Sequence, residues 1–155
     1  MKENIKKISF LLLLLFALGC NSAQVKKNRN IGFYQLLNRT LNEGKKINYI
    51  AILFVKNCDN EIVFSVERWL SSDGLPVYKA YEYNGFPVFY FTNATDKENE
   101  YAVKVLDKLL KPSKFNIENI DGKSQDVVYG EFAYFKNGII IEDDQQLKAF
   151  WEHCK

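Results

Sequence analysis

The chain has 155 residues and a formal net charge of +2, with 15% aromatic residues and 26% charged ones. The aromatic load argues against intrinsic disorder, because it gives the chain enough apolar surface to offset the entropy of ordering. The charge is carried by the first seven residues, where Lys2, Lys6 and Lys7 face only Glu3. Without them the charges balance, and setting aside Lys26, Lys27 and Arg29 leaves the remainder mildly acidic. A nucleic-acid interface needs a clustered basic footprint, so that class of partner is excluded.

The first elements are targeting signals. Behind the basic start, Ile8 to Leu18 is apolar except for Ser9. At about 1.5 Å per residue this run falls far short of the roughly 30 Å hydrocarbon core of a bilayer, so it reads as the core of a secretory signal and not as a span. It ends in Ala17-Leu18-Gly19-Cys20. This ending resembles the lipobox of bacterial lipoproteins, in which a small residue precedes the cysteine that is acylated and becomes the new amino terminus. The resemblance covers residues 1 to 20 only. It implies a signal peptide over residues 1–19, a lipid anchor of the palmitate type on Cys20, and a polar tether over 20–29. Asn21-Ser22 lacks the aspartate that retains such proteins at the inner membrane, so the expected location is the outer membrane, facing the periplasm.

From residue 30 to 155 one domain is expected, since about 125 residues suffice for a single core and no repeat or linker interrupts them. Asn30 can cap a helix running to about Asn42 on the spacing of Phe33, Leu36, Leu37 and Leu41, with Gly44 as its stop. Ile47 to Val55 is apolar on both alternating faces, as in a central strand, and a turn over Asn57 to Asn60 leads into a strand over Glu61 to Trp69. Val77 to Tyr83 and Phe86 to Thr92 flank Asn84-Gly85, a strong hairpin signal. Pro87 has no N–H for a ladder and places the start of its strand at an edge.

Thr95 with Glu98 has capping-box spacing, and Tyr101, Ala102, Val105, Leu106, Leu109 and Leu110 form one stripe that Pro112 ends. A third hairpin follows, Val127 to Phe135 and Ile139 to Glu142 around Asn137-Gly138. Asp143 with Gln146 repeats the capping spacing ahead of Leu147, Phe150, Trp151 and Cys154. The sum is an α+β fold: a largely antiparallel sheet of about six strands from three hairpins, with about three helices on one face.

The closing segment, Phe135-Lys136-Asn137-Gly138 with three isoleucines and a helix holding Phe150 and Trp151, resembles the final hairpin and helix of a thioredoxin-like fold. It departs from that family in having no Cys-x-x-Cys and no proline before Val127, so the resemblance does not imply redox activity.

Catalysis needs a nucleophile, a base and a group to orient the base. The one histidine, His153, is adjacent to Cys154, and neighbours on a helix point about 100° apart. Cys58 with His153 remains geometrically open. Cys58 and Cys154 are also a candidate disulfide, closing a loop of roughly a hundred residues. Two distant thiols and one histidine make a poor zinc set, and Glu142, Asp143 and Asp144 suit a helix start better than a cation. Gly122-Lys123-Ser124 lacks the earlier glycine of a phosphate loop, so no cofactor is expected. No enzymatic constellation emerges.

What remains is a Tyr- and Phe-rich hairpin. Alternation sets Tyr78 on the opposite face from Tyr81 and Tyr83, so Tyr78, Tyr81, Tyr83 and Tyr90 make a candidate binding surface for a protein partner. The expected function is a lipid-anchored envelope protein with a small binding domain. The alternatives are a thiol-dependent or thioredoxin-like redox module using Cys58 with Cys154 or His153, and a structural envelope lipoprotein.

Overall fold

The computed structural model describes residues 30–42, 47–69, 76–119 and 127–154. The targeting segment, Cys20 and the loop containing Gly122 lie outside the described residues. In chain order the elements are α1 (Ile31–Asn42), β1 (Tyr49–Cys58), β2 (Glu61–Trp69), β3 (Val77–Tyr83), β4 (Phe86–Phe91), α2 (Asp96–Leu109), β5 (Lys111–Pro112), a 3-10 turn (Ile117–Asn119), β6 (Val127–Lys136), β7 (Ile139–Ile141) and α3 (Asp144–His153). The class is α+β, and Gly32–Lys155 clusters as one unit.

All three hairpins form. Asn84 and Gly85 adopt φ of 51° and 78°, and Asn137 and Gly138 adopt 53° and 72°. Two successive positive φ values are what a tight two-residue hairpin turn needs, and Asn and Gly reach them at little cost. The first turn is shorter than its sequence suggests. β1 continues through Cys58, which pairs with Glu61 across only Asp59 and Asn60.

The sheet departs from six antiparallel strands. It is a curled, mixed sheet of seven strands in the order β5-β3-β4-β1-β2-β6-β7. The second hairpin docks through β4, which runs parallel to β1 with Ile50 opposite Val88 and Leu53 opposite Phe91. The short β5 pairs Pro112 with Tyr81 and Lys111 with Glu82 on the far side of β3. Local hairpin chemistry cannot reveal how one hairpin lies against another; the continuous apolar runs of β1 and β4 hold that information. Tyr49 to Ile52 and Val88 to Phe91 are buried without a polar gap, the pattern of strands covered on both faces.

Pro87 does not mark an edge strand, because β4 lies inside the sheet. Its missing N–H is tolerated because pairing with β1 begins one residue later, at Val88.

A sheet apolar on both faces must be covered on both, and the helices divide accordingly. On one face α1 supplies Phe33, Leu36 and Leu37, and α2 supplies Ala102, Val105, Leu106 and Leu109, against Ile50, Ile52, Phe64, Val88 and Tyr90. On the other, α3 brings Phe150 and Leu147 onto Val63 and Tyr134, and Ile117 packs beside Tyr49, Phe89 and Phe91. The expectation that the helices share one face is therefore corrected.

The start of α2 follows its sequence signal: the Thr95 N–H and hydroxyl both donate to Glu98 Oε2, at 2.9 and 2.8 Å. The stripe conceals one polar residue, Asn99, which is fully buried. It accepts from the Tyr90 hydroxyl at 2.8 Å and donates to the Ala94 carbonyl at 2.9 Å, joining α2 to β4 through the core.

Replacing Asn99 by Ala removes the acceptor of the buried Tyr90 O–H, and urea unfolding should register a loss of about 1–3 kcal/mol. The double variant with Tyr90→Phe should cost less than the two single losses together. Strict additivity would show that the two side chains are energetically independent.

Candidate functional site

At the end of the sheet where the first and third hairpins turn, the ladder sets Cys58, Glu61 and Lys136 in one row, Cys58 opposite Glu61 and Glu61 opposite Lys136. The C-terminal turn of α3 lies over this row and brings His153 and Cys154 to it. The turns are fixed by shared bonds: the Asn60 carbonyl accepts from the Tyr101 hydroxyl at 2.7 Å and from the Asn137 N–H at 2.8 Å.

Glu61 is the hub. Only 9% exposed, it accepts from the Tyr134 hydroxyl at 2.7 Å, pairs with Lys136 Nζ at 2.6 Å and faces His153 Nε2 at 3.6 Å. The Lys136 hydrogen bond is the main influence holding the Glu61 carboxyl below its ordinary range, and it outweighs the opposing effect of burial. Burial first, and the bond to Glu61 second, push the Tyr134 phenol up. The result is a buried carboxylate engaged by two donors from β6, Tyr134 and Lys136, with the His153 ring of α3 beside it.

His153 is committed to the same hub. Its Nδ1 lies 2.7 Å from the Ala149 carbonyl, which can only accept, so Nδ1 carries a proton. In the neutral ring the remaining lone pair is on Nε2, the atom that faces Glu61. Among the described residues neither thiol is a hydrogen-bond partner of His153, which leaves the Cys58 with His153 pairing without geometric support.

The two cysteines are free thiols and they are neighbours. Both pack in the cluster of Val63, Tyr134 and Phe150. Cys154 is buried, and its thiol donates to the Asn57 carbonyl oxygen at 3.5 Å. Burial is the main cause that pushes the Cys154 thiol up to about 11. Such a thiol is poorly ionised near neutral pH and is not an activated nucleophile.

The tyrosine surface read from the sequence dissolves on inspection. Tyr81 and Tyr90 are fully buried, with hydroxyls bonded to Asp107 and Asn99 at 2.9 and 2.8 Å, and burial drives both phenols well up. Tyr83 stacks on Tyr34 at 6.0 Å and donates to Asn38 Oδ1 at 3.0 Å. Tyr83 is partly buried, and Tyr78, 44% exposed, is the most open of the four. Its face also differs from simple alternation. The register shift between Val77 and Lys79 turns it toward α2, where its ring meets Tyr90 at 5.9 Å and its hydroxyl meets Asp96 at 3.4 Å.

Sequence reasoning missed three exposed aromatics, Phe115, Phe132 and Trp151; the last two, 58% and 39% exposed, are in edge contact at 6.4 Å between β6 and α3. Phe132 shares its strand face with the buried Tyr134, so alternation does not mark it as exposed; both rings point to α3, where Tyr134 meets Phe150 and Phe132 meets Trp151. Beside them lies a cleft of about 220 Å³ with Arg39, Glu131, Glu142, Asp143 and Asp144 in its wall. Arg39 is bound to Glu131 at 2.7 Å, leaving the rim net acidic. Asp143 caps α3, accepting from the N–H groups of Gln145 and Gln146 at 2.9 and 3.4 Å.

Comparison with protein-family models, with curated proteins and with solved structures finds no significant match for this chain. Among the described residues no helix is long and apolar enough to cross a membrane.

The sign of the pH dependence follows from the lowered Glu61 carboxyl. A depressed folded-state value means that ionised Glu61 stabilises the fold above the ordinary carboxylate range, and this stability disappears as pH falls through the depressed value. Glu61→Gln should therefore cost about 1–3 kcal/mol near neutral pH. The gap between variant and wild type should close in acid, as read by urea midpoints along a pH series. A gap that stays constant with pH would remove Glu61 from the linkage.

Proposed function

We propose that this chain is a lipid-anchored protein of the bacterial cell envelope, held through an acylated Cys20 at the outer membrane facing the periplasm, and that its globular part binds a protein partner. The observation that carries the location is the sequence Ala17-Leu18-Gly19-Cys20 behind a short apolar run. More than one acyl chain is needed for lasting anchorage, and a lipidated amino-terminal cysteine supplies them.

The surface supports a protein as the partner. A cleft of about 220 Å³ is smaller than the roughly 300–1,000 Å³ typical of small-molecule sites. Paired exposed aromatics beside an acidic rim instead suit a protein that offers an apolar side chain flanked by Lys or Arg. Tyr78, the most exposed of the tyrosine set, edges an open groove of about 560 Å³ with Lys79, Asp96 and Lys97, and it offers one ring where Phe132 and Trp151 offer two.

Growing cells supplied with labelled palmitate should label the wild-type chain and leave Cys20→Ser unlabelled, with the variant moving from the membrane to the soluble fraction. An unlabelled, freely soluble wild type would overturn the location. A photo-crosslinker replacing Phe132 should trap one discrete heteromeric adduct in intact cells, and that adduct should vanish when Glu142 and Asp144 are both changed to Lys. Adducts containing only copies of this chain would favour a structural envelope lipoprotein.

A further inference from the structure

The last helix has few buried anchors. α3 has ten residues and buries only Phe150 among them, with Cys154 following as its cap. A helix this short is marginal on its own and depends on what docks it. Besides Leu147 and Phe150, its docking rests on its C-terminal end, where His153 faces Glu61 and Cys154 is packed beside Cys58.

Cys58 is held rigidly for its part. It is the final residue of β1, paired with Glu61 and followed by a two-residue turn whose carbonyl at Asn60 accepts two hydrogen bonds. The thiols come from positions 58 and 154, so almost the whole sheet lies between them in the chain. Their exposures differ: Cys58 is half-buried and Cys154 is buried.

From this juxtaposition we propose that Cys58 and Cys154 are the two halves of a disulfide clasp that ties the end of α3 to the end of β1. The oxidant is a disulfide, either a small one such as oxidised glutathione or a disulfide-donating protein. Cys58, the more accessible thiol, attacks as the thiolate; a bond forms from its sulfur to one sulfur of the oxidant, and the other leaves as a thiolate. Cys154 then loses its proton and attacks the Cys58 sulfur, forming the internal bond and expelling the second thiolate. The protein loses two electrons and two protons, and the oxidant is reduced to two thiols.

The order of attack follows from access and ionisation. A buried thiol whose ionisation is opposed by its surroundings is a slow first nucleophile, yet it becomes an effective resolving group once a mixed disulfide is held against it. Closing so long a loop restricts the unfolded chain strongly, and it secures the helix that carries Trp151. The occurrence of the clasp in cells rests on the export reading above, whereas its chemistry does not.

The test uses full-length protein purified in detergent, treated with oxidised glutathione and mapped by peptide mass under non-reducing conditions so that Cys20 is scored separately. The expected product is one peptide pair linked through Cys58 and Cys154, with no glutathione retained at equilibrium. Its thermal midpoint should lie roughly 10 °C or more above the reduced form. Cys154→Ser should accumulate glutathione on Cys58, and Cys58→Ser should leave Cys154 largely unmodified in the folded state. Two thiols that stay free under oxidation, or a wild type that keeps glutathione on Cys58, would overturn the clasp. The same mapping on protein trapped with acid in living cells separates the two readings: a bond that forms in the tube but is absent in cells upholds the clasp and overturns the oxidising compartment.

Discussion

The parallel pairing of β1 with β4 constrains everything else in this domain. It places two continuous apolar runs side by side at the centre of the sheet, with Tyr49, Ile50, Ala51 and Ile52 beside Val88, Phe89, Tyr90 and Phe91. Strands of that kind leave two greasy faces, and each needs a cover. α1 and α2 cover one face, while α3 and the 3-10 turn at Ile117 cover the other. The position of α3 on the second face is in turn what carries Cys154 to Cys58 and His153 to Glu61.

The polar groups of the interior follow the same geometry. Asn99 reaches into the first face to satisfy Tyr90, and Asp107 satisfies Tyr81 at the rim of α2. On the second face Glu61 is surrounded by Tyr134, Lys136 and His153, from a strand and a helix remote in sequence. Each of these groups would be costly if left unpaired, so each couples a helix to the sheet more specifically than apolar packing does. The hub at Glu61 and the thiol pair occupy the same end of the fold, beside the C-terminal turn of α3.

Much of the local structure was legible because it depends on near neighbours. The Asn-Gly turns, the Thr95 and Glu98 cap, the Asp143 cap and the α2 stripe are written within a few residues of one another, and all are present. The binding surface was not legible in the same way. Tyr81 and Tyr90 carry the same side chain as Tyr78, and only the docking of α2 decides which rings are covered. A single bulge near Val77 moved Tyr78 to the other face, and no propensity announces it.

The sequence by itself determined the class of the fold, the number of helices, the three hairpins and the aromatic, mildly acidic character of the globular part, since periodicity and turn chemistry act over short spans of chain. Only the tertiary structure decided that β4 lies parallel to β1, that a seventh strand at Lys111 completes the sheet, and that helices lie on both sides of it. It alone brought residues 58, 61, 136, 153 and 154 to one place. The reason is physical: which hairpin edges meet, and which helix covers which face, is set by the burial of whole surfaces, and that energy belongs to contacts between segments far apart in the chain.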